Sequence, residues 1–325
     1  MSTKPKTLAG ELWSVARTFA RVMVGYLLLI LVIVAVRFPY KTDPVDERSL
    51  ARPANYAEYY AGVYASPKQG KETALEDTSD GRYVRMAREA IADQNVTQQL
   101  ARFVAIYGLE KARILDVGSG TGYLQDVVEN YVGLDISSTA ARYYHKPYIE
   151  ASATKMPIPD NDFDAAWSIW VLEHVPAPEQ ALLEMRRVVK DGGIIFMAPA
   201  WNVHPWAANG YPVRPFRDLN WREKLVKAGM YAVEYPPLAV SAKTITRACL
   251  GARALFGGPT RLHYNPLTPN YGKYWMQDSD AINSLDRYET LLWFTSRGDE
   301  CLNCEDDFWK MTDQLIIRVH KRDRS

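Results

Sequence analysis

Residues 113–122, Arg-Ile-Leu-Asp-Val-Gly-Ser-Gly-Thr-Gly, limit the possible folds more than any other part of the chain. Ile114, Leu115 and Val117 make the short, partly β-branched apolar run of a central strand, and it ends directly in Gly118, Gly120 and Gly122. Glycine turns sharply without a Cβ penalty and lets a ligand approach the backbone closely. A strand, a glycine turn and a following helix predict an α/β protein with a nucleotide-type ligand at the carboxyl ends of parallel strands.

The residues around the turn select the ligand. A dinucleotide-binding turn places glycines at its first, third and sixth positions, but the sixth here is Tyr123. Asp116 sits inside the strand, where a carboxylate repels a pyrophosphate and attracts the amino group or sulfonium of S-adenosylmethionine. Nineteen residues later, Asp135 closes the apolar run Tyr131–Asp135, in position to accept both hydroxyls of a ribose. The two acids favour S-adenosylmethionine over NAD.

Three further segments follow in order: residues 151–164, residues 165–175 with Leu172-Glu173-His174, and residues 188–199 with Asp191-Gly192-Gly193. With these, the chain resembles the class I S-adenosylmethionine-dependent methyltransferases over about residues 82 to 200, especially the branch that includes ubiquinone/menaquinone C-methylase-like enzymes. The resemblance implies a doubly wound, seven-stranded, mainly parallel sheet. It also implies a donor site built from Asp116, Gly118, Ser119, Gly120, Asp135, Ile136, Ser152, Ala153 and Ile169. Ser152 stands where the family usually carries an acid that binds the adenine amino group, so its hydroxyl or the Ala153 backbone takes that role.

Composition agrees with a folded enzyme: 47% of the 325 residues are hydrophobic, and a net charge of +1 gives no general attraction to nucleic acid. No Asn-Pro-Pro-Tyr-type base-flipping motif follows the fourth strand, where Ser168-Ile169-Trp170 stands instead, so no nucleic-acid partner is expected. Cys249, Cys301 and Cys304 are too few for a disulfide framework and suggest a reducing compartment. The Cys301-x-x-Cys304 spacing lacks the second pair that a structural zinc site needs, and no metal is expected.

The amino-terminal region suits a different solvent. Residues 22–36 are fifteen uncharged, mostly aliphatic residues between Arg21 and Arg37, whose stems can reach the headgroups. As a helix they span only about 22 Å of a hydrocarbon core of roughly 30 Å, so flanking residues contribute or the segment is re-entrant. A cleaved leader is the competing reading, countered by the long basic segment 1–21 and the lack of an Ala-x-Ala site. A buried core helix is countered by aliphatic character all round the helix. Lys and Arg tie at four on each side of the segment, so charge does not orient it. Where the donor is made places the catalytic domain in the cytoplasm, as a single-pass membrane protein.

The chain thus divides into a basic leader (1–21), a membrane anchor helix (22–40), a tether (41–80), a donor-binding core (81–200), a substrate-lid insertion (201–285) and a closing helix with a strand hairpin (286–325). Residues 201–275 carry ten Lys or Arg against three acids. Residues 238–256 place Lys243, Arg247 and Arg253 among apolar residues, which reads either as a basic helix lying in an anionic membrane interface or as a lid helix packed on the domain.

A sulfonium donor is already activated, so the protein mainly aligns the partners and excludes water, with a base needed for an alcohol, phenol or carbon acid. His174 is the candidate catalytic base, with Glu173 to orient it, or else a residue packing or capping the next helix. His204, His263 and Tyr264 are secondary candidates. The expected activity is methylation of a small apolar or lipid-linked acceptor. Methylation of a glycan, or donor binding without turnover, are the alternatives.

Overall fold

The computed structural model describes residues 8–46, 56–64, 82–256, 260–270, 274, 276–305 and 314–321. Its centre is the expected seven-stranded sheet: β1 (Ile114–Val117), β2 (Tyr131–Asp135), β3 (Tyr148–Glu150), β4 (Phe163–Ile169), β5 (Val189–Ala198), β8 (Glu300–Cys301) and β9 (Leu315–Arg318). The order is β3-β2-β1-β4-β5-β9-β8, with β9 antiparallel to both of its neighbours and the other pairs parallel. A parallel sheet buried on both faces needs apolar residues on both sides of each strand. Accordingly, Ile114, Leu115, Phe163, Ala165, Ala166 and Trp167 are all fully buried.

Helices α3 (Arg82–Asp93) and α4 (Val96–Tyr107) precede β1, and α5 (Pro178–Val188) joins β4 to β5. Asn95 takes a left-handed conformation between α3 and α4, and Gly108 does the same to end α4. The helix expected after the glycine turn does not form: residues 119–130 are turns closed by short-range bonds such as Gln125 N–H to the Gly122 carbonyl. The physical reason is length. Thirteen residues, 118–130, connect β1 to β2, near the lower limit of about a dozen for a parallel crossover, and the glycine turn to Gly122 takes five of them. The β2 to β3 connection is likewise only a 3-10 turn at Ala140–Tyr143.

Helix α1 (Leu8–Arg37) is longer than the expected anchor and includes a 28-residue stretch, Gly10–Arg37, apolar enough to cross a membrane. Its carboxyl half is docked on the insertion. Ile30 and Ile33 are buried with Leu238 and Ala242 of α8 (Pro236–Leu255), and the Tyr26 hydroxyl lies 2.7 Å from Ser241 Oγ. The Arg37 carbonyl accepts from Asn265 Nδ2 at 2.7 Å, and Lys41 bridges Tyr264. The stretch read as a tether contains α2 (Tyr56–Val63), which packs on the core through Tyr60 and Val63.

The insertion holds α6 (Pro205–Ala208), α7 (Trp221–Val233), α8 and the two-stranded pair β6 (Asn265–Pro266) and β7 (Asn283–Ser284), after which α9 (Arg287–Thr295) closes the core. The cations of α8 contradict the interfacial reading, because they face inward. Lys243 pairs with Asp286, Arg253 Nη2 lies 2.6 Å from Glu289 Oε1, and fully buried Arg247 lies over the Tyr288 ring. The exposed large apolar residues of α8 are Val240 and Leu255. The cysteine reading also needs correction. Cys301 and Cys304 form a disulfide, since the turn after β8 brings their Cα atoms to 5.7 Å, within bridging range.

Candidate methyl-donor and acceptor site

The carboxyl ends of β1, β2 and β4 converge on the glycine turn. Gly118 has φ +76°, and a Cβ there would lie 2.3 Å from Val171 Cγ2, so both the turn and the close approach of the segment after β4 require glycine. Gly120 has φ +51°, and its N–H donates to Asp135 Oδ2 at 2.9 Å, while Ser137 N–H donates to Oδ1 at 2.9 Å. These bonds fix the Asp135 carboxylate at the end of β2 and leave a second lone pair on each oxygen. Burial raises its pKa from the ordinary carboxylate value, with the Ser137 and Gly120 amides opposing.

Asp116 is 3% exposed and accepts from the Tyr131 hydroxyl at 2.7 Å. Burial pushes its pKa up to about 7, against the opposing hydrogen bonds of Tyr131 and Trp167. A buried carboxylate held so near neutrality gains most from a cation placed beside it.

Gly118, Asp135, Ile136, Ser152, Ala153 and His174 line one cavity, of about 190 Å³. Asp116, Ser119, Gly120 and Ile169 line a second, of about 100 Å³, with Gly118 common to both. All the donor residues expected from sequence therefore border two adjoining spaces. The Ser152 hydroxyl lies 2.9 Å from Thr154 Oγ1 and accepts from Thr154 N–H at 3.2 Å.

Two wall residues were not foreseen. Tyr64, just after α2, borders both cavities, with its hydroxyl 3.0 Å from where a Gly120 Cβ would stand. The segment is held by Ser137 Oγ and Thr139 Oγ1, which donate to the Tyr60 and Ala61 carbonyls at 3.2 and 2.7 Å. A tyrosine-rich run, Tyr56, Tyr59, Tyr60 and Tyr64, was its sequence signal. Trp170 lines both cavities and a third, of about 90 Å³. Its φ of +53° is strained for a non-glycine residue, and such strain clusters at functional sites.

His174 opens into the first and third cavities. Its Nε2 lies 3.8 Å from Glu173 Oε1 and its Nδ1 3.7 Å from Asp280 Oδ2. Burial alone would lower its pKa, but Asp280, Glu173 and Asp278 outweigh burial and the net shift is upward. Burial pushes Glu173 up to about 7, His174 opposing and Asp278 adding. The imidazole of the candidate base is thus displaced toward the protonated form. The acids Asp278 and Asp280 come from the end of the insertion, and the Ile282 N–H to Glu173 carbonyl bond at 3.0 Å holds that segment in place. The other candidates sit elsewhere. His204 stacks on Trp206, with its pKa lowered to about 4 by burial, then by Arg37 and Lys243, while His263 Nδ1 lies 2.7 Å from Glu289 Oε1. Tyr264 donates to the Asp43 carbonyl. Among the described residues no cluster of His, Cys, Asp and Glu suits a metal ion.

The sheet order, the turn and the two acids converge with the family comparison, in which residues 115–197 match a methyltransferase domain model. Those residues form a class I S-adenosylmethionine-dependent methyltransferase domain. Its cofactor is S-adenosylmethionine, and the chemistry of the site fits it: two buried acids, a close backbone turn and adjoining cavities. The chain is 38% identical over 145 residues to an uncharacterized protein of Methanocaldococcus jannaschii, covering 43% of this chain and 52% of that one. It is 29% identical over 125 residues to a ubiquinone/menaquinone biosynthesis C-methyltransferase of Cupriavidus taiwanensis, covering 34% of this chain and 51% of that one. The chain spans about half the length of these curated relatives. A solved methyltransferase of Thermotoga maritima, described as a possible histamine N-methyltransferase, aligns at 21% identity and a TM-score of 0.32 over 39% of this chain and 61% of that one.

Proposed function

We propose that the chain is a membrane-anchored methyltransferase acting on a small apolar or lipid-linked acceptor. The observation that carries this reading is that α1, the helix apolar enough to cross a membrane, is seated on α8 of the insertion, and the far end of that insertion borders the third cavity, the acceptor's in this reading. Bound in the first two cavities, the donor supplies a methyl group already activated by its sulfonium. Asp135 and the Gly120 amide position the ribose side, Asp116 offers a carboxylate to the cationic side, and Trp170 borders both the donor cavities and the third cavity. His174 is the group in reach to hold or accept a proton at the acceptor side, positioned by Asp280 and Glu173. The catalytic face lies toward the cytoplasm in this reading. Glycan methylation is the second reading, supported by the polar wall of Gln277, Asp278 and Asp280.

The test is incubation of membranes containing the full chain with methyl-labelled donor, followed by separate extraction of lipids and water-soluble glycans. Label in the lipid fraction supports the first reading and label in glycan supports the second. Donor binding without label in either supports a protein that binds but does not turn over.

A further inference from the structure

The third cavity, beside the donor space, is walled by Trp170, His174, Asp278 and Asp280, together with Met86 and Gln277. Asp280 is 2% exposed, and its Oδ2 has no hydrogen-bond partner among the described residues. Fully buried Glu173 lies behind His174. No described Lys or Arg lines the cavity, so the carboxyl groups of Asp278 and Asp280 share it with one imidazole.

That charge pattern discriminates among acceptors. A phosphate or phenolate entering it meets like charge, and a hydroxyl would have to become an oxyanion beside these two acids. An ammonium is attracted by the carboxylates and suits the face of an indole such as Trp170. On losing a proton it becomes neutral and develops no negative charge. We propose that this cavity receives an alkylammonium group, so that the methyl acceptor is an amine. The proposal rests on the methyltransferase reading above. The ammonium gives one proton to the carboxylate and imidazole cluster, which passes it to solvent. The freed nitrogen pair forms the bond to the methyl carbon as the carbon–sulfur bond breaks, its electron pair staying on sulfur. A methylated ammonium and a neutral thioether result.

The test uses the full chain in phosphatidylcholine vesicles, with S-adenosylhomocysteine, the demethylated donor, present. Calorimetry compares butylamine, butanol and butyl phosphate. The amine is expected to bind about tenfold tighter than the alcohol, with the phosphate weaker still, and Asp280→Asn is expected to abolish the preference while keeping thioether affinity. Asp278→Asn, at a half-buried position, is the second variant if Asp280→Asn loses the thioether as well. Adding phosphatidylethanolamine to the vesicles separates the sources: a weakened apparent affinity for butylamine assigns a lipid amine, and an unchanged one assigns a soluble amine. Amine binding no tighter than that of the alcohol, or a preference that survives both substitutions, overturns the proposal. Absence of heat with the thioether alone overturns the methyltransferase reading instead, and the amine comparison is then read without it.

Discussion

Asp116 and Asp135 perform different physical tasks although both are buried acids. Asp135 is already engaged by two backbone amides, so Asp135→Ala removes a preset ribose acceptor and frees Gly120 N–H; donor affinity should fall by about tenfold or more in calorimetry. Asp116 acts through charge. Its folded pKa of about 7 lies above the unfolded value, so the folded state binds the extra proton between roughly pH 4 and 7, and this group's contribution to stability declines as pH rises through that window. A cationic donor needs the ionised form. Donor affinity should therefore rise with pH up to about 7 and level off above it, and Asp116→Asn should flatten the profile; a wild-type profile already flat from pH 5.5 to 8 would remove Asp116 from the contact. Gly118→Ala combines a positive φ with a 2.3 Å overlap on Val171 and should cost about 2 kcal/mol or more in urea unfolding. Adding Val171→Ala should recover part of the overlap, since the Val171 Cβ itself lies 2.9 Å from the added methyl.

At the level of elements, the strands were legible because each is a short apolar run with a fixed role in a sheet buried on both faces. The runs ending at Val117 and Asp135 coincide with β1 and β2, and the closing strand lies within residues 286–325 as the pattern there predicts. The donor residues were legible because glycines and acids at strand ends have few other uses. Tyr64 and Trp170 were not, since an aromatic residue in a loop gives no clue to the cavity it walls, and α2 reaches the glycine turn only through tertiary packing. The direction of the α8 cations stayed open between an interfacial and a packed lid helix for the same reason: periodicity locates a charged face, and only the carboxylates Asp286 and Glu289, more than thirty residues further on, reveal which way it turns. Because α2 shares a wall with Gly120, Tyr64→Ala should weaken donor binding by about tenfold; unchanged affinity would make α2 a bystander.

For the whole molecule, the contact between α1 and α8 makes a prediction that separates an anchor from a removable leader. Deleting residues 1–37 should release the protein from membranes into the soluble fraction. It should also lower the melting temperature, by about 2–4 °C for each kcal/mol lost, because Leu238 and Ala242 lose Ile30 and Ile33 as packing partners. An unchanged melting temperature would mean that the helix is not docked in solution.

The join between α1 and the domain has no slack: Asn265 grips the Arg37 carbonyl, and four residues on, Lys41 is paired with Tyr264. A domain on a loose cord would sweep a hemisphere above the bilayer. One bolted to its own stalk keeps a single altitude and heading, so with α1 in lipid the enzyme would work at one fixed height, on molecules whose reacting group stands at that height.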